Sequence, residues 1–225
     1  QLKLTQDQLA EIKKFIHSRG FTHIEVEMEI LDHVASAVEV KLESDPNKSI
    51  TKAIHEVHAG FGPLGFRVME DEFRKGFGKH YQSIRKGLLK KYLWSERAWV
   101  TLLVIMASFA LSTILKNLPA SFNLVLLLAL SSISWLSLYF YFRRVFRKWR
   151  KKSMVISHQL GKIGLGSYMI YYTIYYAHEF IGMDFSSTSL LTACLTILSL
   201  STLFTKDCIL EVFHWTNERY LKYVR

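Results

Sequence analysis

The 225-residue chain reads as an all-α protein, in which a small cytoplasmic helical domain precedes a four-helix transmembrane bundle. Three observations predict this. Residues 98–118 and 122–142 are long apolar runs whose one charge is Lys116. The apolar residues ahead of them recur at steps of three and four, with no alternating strand pattern. Charge is also segregated: residues 1–72 hold 8 Lys+Arg and 13 Asp+Glu, residues 73–97 hold 8 and 1, and residues 98–225 hold 13 and 5. Taken whole, the net charge of +10 would suggest nucleic acid. Split by segment, it becomes an acidic head followed by basic belts beside apolar runs, which is a topology signal, and no direct nucleic-acid partner is expected. A composition that is 50% hydrophobic with two cysteines excludes disordered and disulfide-stapled classes.

The first helix is announced at both ends. Thr5 and Gln8 have the spacing of a capping box, in which a side-chain oxygen and a backbone N–H satisfy each other reciprocally, and Gly20 stands where the helix should stop. Thr22 and Glu25 repeat that spacing for a second helix. Its main face is predicted from Ile24, Met28, Leu31, Ala35, Val38 and Leu42, widened by Val26, Ile30 and Val34. Asp45, Pro46 and Asn47 break it. Ser49 then caps a third helix carrying Ile50, Ala53, Ile54, Val57 and Phe61, which Gly60 and Gly62 close, and a further helix is expected after Pro63. Phe77, Tyr81, Ile84, Leu88 and Tyr92 form another stripe with lysines and arginines around it. It suits either an amphipathic helix on the inner leaflet or a docking helix between head and membrane, although Gly76, Gly78 and Gly87 weaken it.

Four spans are expected, at about 98–118, 122–142, 163–183 and 187–205. A run of 21 residues rises about 31 Å as a helix, against a hydrocarbon core of about 30 Å. Between the second and third spans lie Arg143, Arg144, Arg147, Lys148, Arg150, Lys151 and Lys152. Cytoplasmic loops collect such residues, so this loop and, with an even span count, both termini are predicted inside, in a bacterial inner membrane, with anionic lipid head groups as partners. The expected division is 1–72 head, 73–97 basic juxtamembrane segment, 98–205 spans and 206–225 cytoplasmic tail.

Chemistry is sparse in the pattern. His55 and His58 share a helix face, and Glu29 and His33 are the nearest candidates to join them, but no Cys assists and the His-Glu-x-x-His spacing is absent. They read as solvated polar residues or caps, and no metal, cofactor or catalytic set is predicted. In the third span, Tyr168, Tyr172, Tyr175, His178 and Glu179 form an intramembrane polar set that could carry a ligand or proton.

The run Glu29-Ile30-Leu31-Asp32-His33-Val34, then Glu39, then a helix opening over Ser49 to Ala53 and closing at Phe61-Gly62-Pro63, resembles the HAAS signalling domain. The likeness covers roughly residues 5–75. It implies a helical module carried as a prefix on bacterial membrane proteins and permeases, in a family often associated with PadR-type transcriptional regulators. The expected function is therefore non-enzymatic signalling or regulation. The acidic head beside a basic segment marks Glu25, Glu29, Asp32 and Glu39 as the residues that bind a protein partner, such as a transcription regulator or a transporter. The alternatives are a small permease, or a subunit of a transport complex, with its route along the Tyr face, and a structural homo-oligomer.

Overall fold

The structure is a computed structural model that describes residues 3–181 and 185–221, with the side chains of 164–171, 174, 177, 178, 180 and 181 left out. Among the described residues there are eight helices and no strand: α1 (Gln6–Ser18), α2 (Ile24–Ser44), α3 (Ile50–Gly60), α4 (Arg67–Trp94), α5 (Ala98–Leu115), α6 (Ala120–Val145), α7 (Met154–Ile181) and α8 (Thr188–Arg219). The chain divides into two compact units, and α4, α7 and α8 have residues in both. The first comprises Gln1–Tyr81, Trp149–Val155 and Thr216–Arg225, and the second comprises Gln82–Lys148 and Ile156–Trp215.

The first unit is built on α1, α2 and α3. The Thr5–Gln8 capping box forms as the spacing predicts, and the Ser49 side chain accepts from the Lys52 N–H to open α3. Gly20, at φ 91°, supplies the left-handed turn after α1. The second box does not form. His23, without a side-chain cap, is the N-cap of α2, because the Glu25 carboxylate is taken by another part of the chain.

The core runs along a different ridge of α2 from the one emphasised by the sequence pattern. Val26, Ile30, Val34 and Val38, each four residues from the last, are buried, together with Ile12 and Ile16 of α1, Ala53, Ile54 and Val57 of α3, and Phe66. Met28, Leu31 and Ala35 are only half-buried. A β-branched row at steps of four fits between two flanking helices, which leaves the row beside it at the margin. Phe66 closes one end, with the rings of Phe15, Phe21, Phe61 and His58 edge-on at 4.8 to 6.2 Å. Gly65 must be glycine there: its φ is 51°, and a Cβ would stand 3.1 Å from His58 Nε2.

In the second unit, α5, α6 and α8 are each long and apolar enough to cross a membrane. Within the most apolar stretch of each, only 17%, 22% and 17% of the residues are buried. Apolar side chains turned outward at that density suit a hydrocarbon surround. Two of them run past the predicted span limits, α6 reaching Val145 and α8 reaching Arg219, so residues 206–219 are helical, whereas α5 ends at Leu115, short of residue 118. The expected third span lies within α7, which begins at Met154; residues 182–183 and much of its side-chain set lie outside the described residues. Likewise the helix expected after Pro63 and the stripe at 77–92 are one helix, α4, which its glycines do not interrupt.

Polar contacts fix the ends of these apolar helices. Asn123 Nδ2 donates to the carbonyls of Leu115 and Phe185, both at 3.0 Å, and so holds the α5–α6 turn to the segment ahead of α8. Leu115, Leu127, Phe185, Leu191 and Leu195 pack around it. The hydroxyls of Ser112 and Thr192 meet at 2.7 Å between α5 and α8. Near the start of α5, the Tyr92 hydroxyl donates to Asp207 at 2.5 Å, and Arg97 pairs with the same carboxylate.

Candidate functional site

The four acids of α2 that the charge pattern singled out, Glu25, Glu29, Asp32 and Glu39, meet four different fates. Glu25 is fully buried: one oxygen accepts from the Ser153 hydroxyl and the other from the Met154 N–H at 3.1 Å. Met154 is the first residue of α7, so the carboxylate satisfies an N–H that has no partner inside its own helix and faces the positive end of the helix dipole. The Ile24 N–H donates to the Lys152 carbonyl at 2.9 Å and anchors the same segment. Glu39 accepts from the Leu4 N–H at 3.2 Å and ties down the start of the chain. Glu29 accepts from the Tyr220 hydroxyl at 2.7 Å, with Arg219 at 3.6 Å. Asp32 is exposed.

Glu29 and Asp32 therefore remain together on an accessible surface, and they border a cleft of about 430 Å³. Its apolar lining is Leu9 of α1 with Met28, Leu31 and Ala35, the half-buried row beside the core ridge of α2, and Arg219 and Tyr220 complete it. Tyr220 is buried and packs edge-on against Phe73 at 6.1 Å. Burial raises the Tyr220 pKa above its ordinary value, and the Glu29 carboxylate raises it further, so the hydroxyl stays a donor. An apolar floor with two carboxylates at its edge can take a segment that presents apolar side chains flanked by cations.

Arg219, Tyr220 and Ser153 carry much of this arrangement, and no short motif in the sequence marks them. A signal existed for Tyr220: Cys208, Val212, Thr216 and Tyr220 follow at steps of four and are all buried, which marks a helical face that continues beyond residue 205. No local pattern announces Ser153 as a partner of Glu25, 128 positions away.

Of the basic loop, Arg143 and Arg144 lie in the last turn of α6, where cations favour the carbonyl end. Arg147, Lys148, Lys151 and Lys152 are exposed and Arg150 is half-buried. Arg143 lies over the Tyr139 ring at 5.9 Å. On α7, Tyr172 stacks on Tyr176 at 5.6 Å, Tyr175 is 39% exposed, and Glu179 is exposed. The side chains of Tyr168 and His178 lie outside the described residues.

His55 and His58 pack on aromatic rings. Both stand edge-on to Phe15, at 5.0 and 5.3 Å, and His58 is 4.8 Å from Phe66. Burial, then the charges of Arg19 and His55, lowers the His58 pKa. Among the described residues, no group of three or more His, Cys, Asp or Glu side chains could hold a metal ion. No family model, curated protein or solved structure matches the chain, so the reading of the site rests on its own geometry.

Proposed function

We propose that this chain is a regulatory or signalling protein of the bacterial inner membrane, without enzymatic activity, whose helical head captures a partner protein on the cytoplasmic side. The observation that carries the reading is the head cleft, which Leu9, Met28, Leu31 and Ala35 line together with Glu29 and Asp32. This pairing of an apolar floor with an acidic border suits a basic amphipathic helix laid into the groove. The resemblance of residues 5–75 to the HAAS signalling domain supports it, and would make the partner a transcription regulator or a transporter. Three helices apolar enough to span a membrane support the anchoring.

The test is a photo-cross-linking residue placed at Ala35 in the intact chain, followed in native membranes. One discrete adduct is expected. Asp32→Lys, which reverses a charge that no described contact uses, should lower its yield about fivefold or more, as for a charge pair worth about 1 kcal/mol or more. An adduct yield that ignores Asp32→Lys removes the cleft from partner binding. The permease reading makes an opposite demand, because Tyr172→Phe and Glu179→Gln should then abolish flux in reconstituted vesicles.

A further inference from the structure

The charge boundaries of two apolar helices meet at one cleft. In α8 no charge occurs from Thr188 to Thr205, and Lys206 ends that run. In α5 the apolar run begins directly after Arg97, the residue that caps the helix. Both cations line a cleft of about 450 Å³, together with Glu96, Asp207, Tyr92 and the apolar Trp99, Val100 and Leu203.

Two of the four charges are engaged with each other. Asp207 is buried, accepts from the Tyr92 hydroxyl and pairs with Arg97. Arg97 Nη1 also donates to the Tyr92 oxygen at 3.3 Å, and the Arg97 backbone N–H donates to the Lys91 carbonyl at 3.0 Å, which holds the turn between α4 and α5. The Arg97 side chain is still 42% exposed. Glu96 and Lys206 are exposed too, and no contact among the described residues engages either. An isolated anion in this cleft would be repelled by Glu96, and an isolated cation by Lys206. A molecule that carries both charges satisfies both.

The order of the lining residues sets how such a molecule would lie. Glu96 is farthest from the apolar run of α5, Arg97 and Lys206 stand at the two boundaries, and Trp99, Val100 and Leu203 belong to the runs themselves. Leu203 precedes Lys206 by about 4.5 Å of helical rise. Trp99 is 62% exposed, and an exposed indole at the end of an apolar helix suits a membrane–water interface. Carboxylate, then cations, then apolar surface is the complement of ammonium, phosphate and acyl chain in a phospholipid.

We propose that this cleft binds a zwitterionic phospholipid with a primary amine, phosphatidylethanolamine. The ammonium meets Glu96, the phosphate lies between Lys206 and Arg97, and the upper acyl chains cover Trp99, Val100 and Leu203. A primary ammonium donates hydrogen bonds to a carboxylate, which the trimethylammonium of phosphatidylcholine cannot do. The proposal rests on reading α5 and α8 as membrane spans.

The test places the full chain in mixed micelles with equal amounts of phosphatidylethanolamine, phosphatidylcholine and phosphatidylglycerol, and reads retained lipid by native mass spectrometry. Phosphatidylethanolamine should be retained over both competitors and, added alone, should raise Tm. Glu96→Gln should lower the ratio of phosphatidylethanolamine to phosphatidylglycerol about threefold or more, and Lys206→Gln should lower retention of both by a similar factor. In lipid-free detergent both variants should keep the wild-type Tm, whereas a merely structural role for either residue would lower it. Trp99→Ala should weaken retention of lipid.

Equal retention of phosphatidylcholine, an unchanged lipid ratio in Glu96→Gln, or an equal Tm gain from soluble O-phosphoethanolamine would each overturn the lipid assignment. Alkaline carbonate extraction separates this failure from that of the membrane reading. A chain released by carbonate refutes the spans and the proposal together, while a chain that stays embedded without lipid selectivity refutes the cleft alone.

Discussion

His58 shows how one side chain can set a pH response. Its ring stands against Phe15 and Phe66, and burial followed by the nearby charges of Arg19 and His55 lowers its pKa from the ordinary 6.5. A histidine held neutral by the fold binds a proton more readily when unfolded. Its contribution is therefore fully present above about pH 6.5 and is lost as pH falls from there towards the lower folded value. Protection of α3 amides against hydrogen exchange in the intact protein should decline through that window, and His58→Phe should remove the decline attributable to this group. A pH slope that persists in His58→Phe would assign the response elsewhere. The sequence showed that His55 and His58 share a face but not that the face meets aromatic rings, because Phe15 and Phe66 lie 43 and 8 positions from His58 in sequence. Glu25 carries the same lesson. Charge balance placed it among the partner-binding acids of α2, and only the distant Ser153 and Met154 explain why it turns inward.

Helices whose ends carry local signals were legible, and those shaped by distant packing were less so. Thr5, Ser49 and Gly20 act within their own turn, so α1 and α3 open and α1 closes as predicted. For α2 the period was right but the emphasis was shifted, since Val26, Ile30, Val34 and Val38 form the buried ridge and Met28, Leu31 and Ala35 become the cleft floor. Both rows are apolar, and only the positions of α1 and α3 decide between them. The glycines of α4 were over-weighted, because a cost of about 1 kcal/mol each does not break a helix of 28 residues. At this scale Asn123 is the sharpest test. It is fully buried, and its amide holds two carbonyls that end α5 and precede α8. Asn123→Leu should lower stability by about 1–3 kcal/mol, read as a lower unfolding midpoint in detergent, while the total helix content by circular dichroism stays near wild type. An unchanged midpoint would mean that those carbonyls find other partners at no cost.

For the whole molecule, the division into an acidic head and basic belts was visible in the charge arithmetic, and an all-helical chain with apolar helices follows from the same composition. The proposed orientation makes a direct prediction. In a Cys194→Ser/Cys208→Ala background, a cysteine replacing Lys116 should react with an impermeant thiol reagent from outside intact cells, and one replacing Arg150 should react only after the membrane is opened. Labelling of both from the same side would refute the even-span topology. Composition could not show that the head is assembled from three stretches of chain, Gln1–Tyr81, Trp149–Val155 and Thr216–Arg225. That discontinuity orders events during synthesis. The carboxylate of Glu25 waits for Ser153, and Glu29 waits for Tyr220, by which time every apolar helix has already been made. The cleft beside Glu29 acquires its Arg219–Tyr220 wall last, so a chain interrupted during translation would leave the cleft unfinished. On the proposed reading, the fold thereby links readiness to engage a partner to completion of the apolar helices.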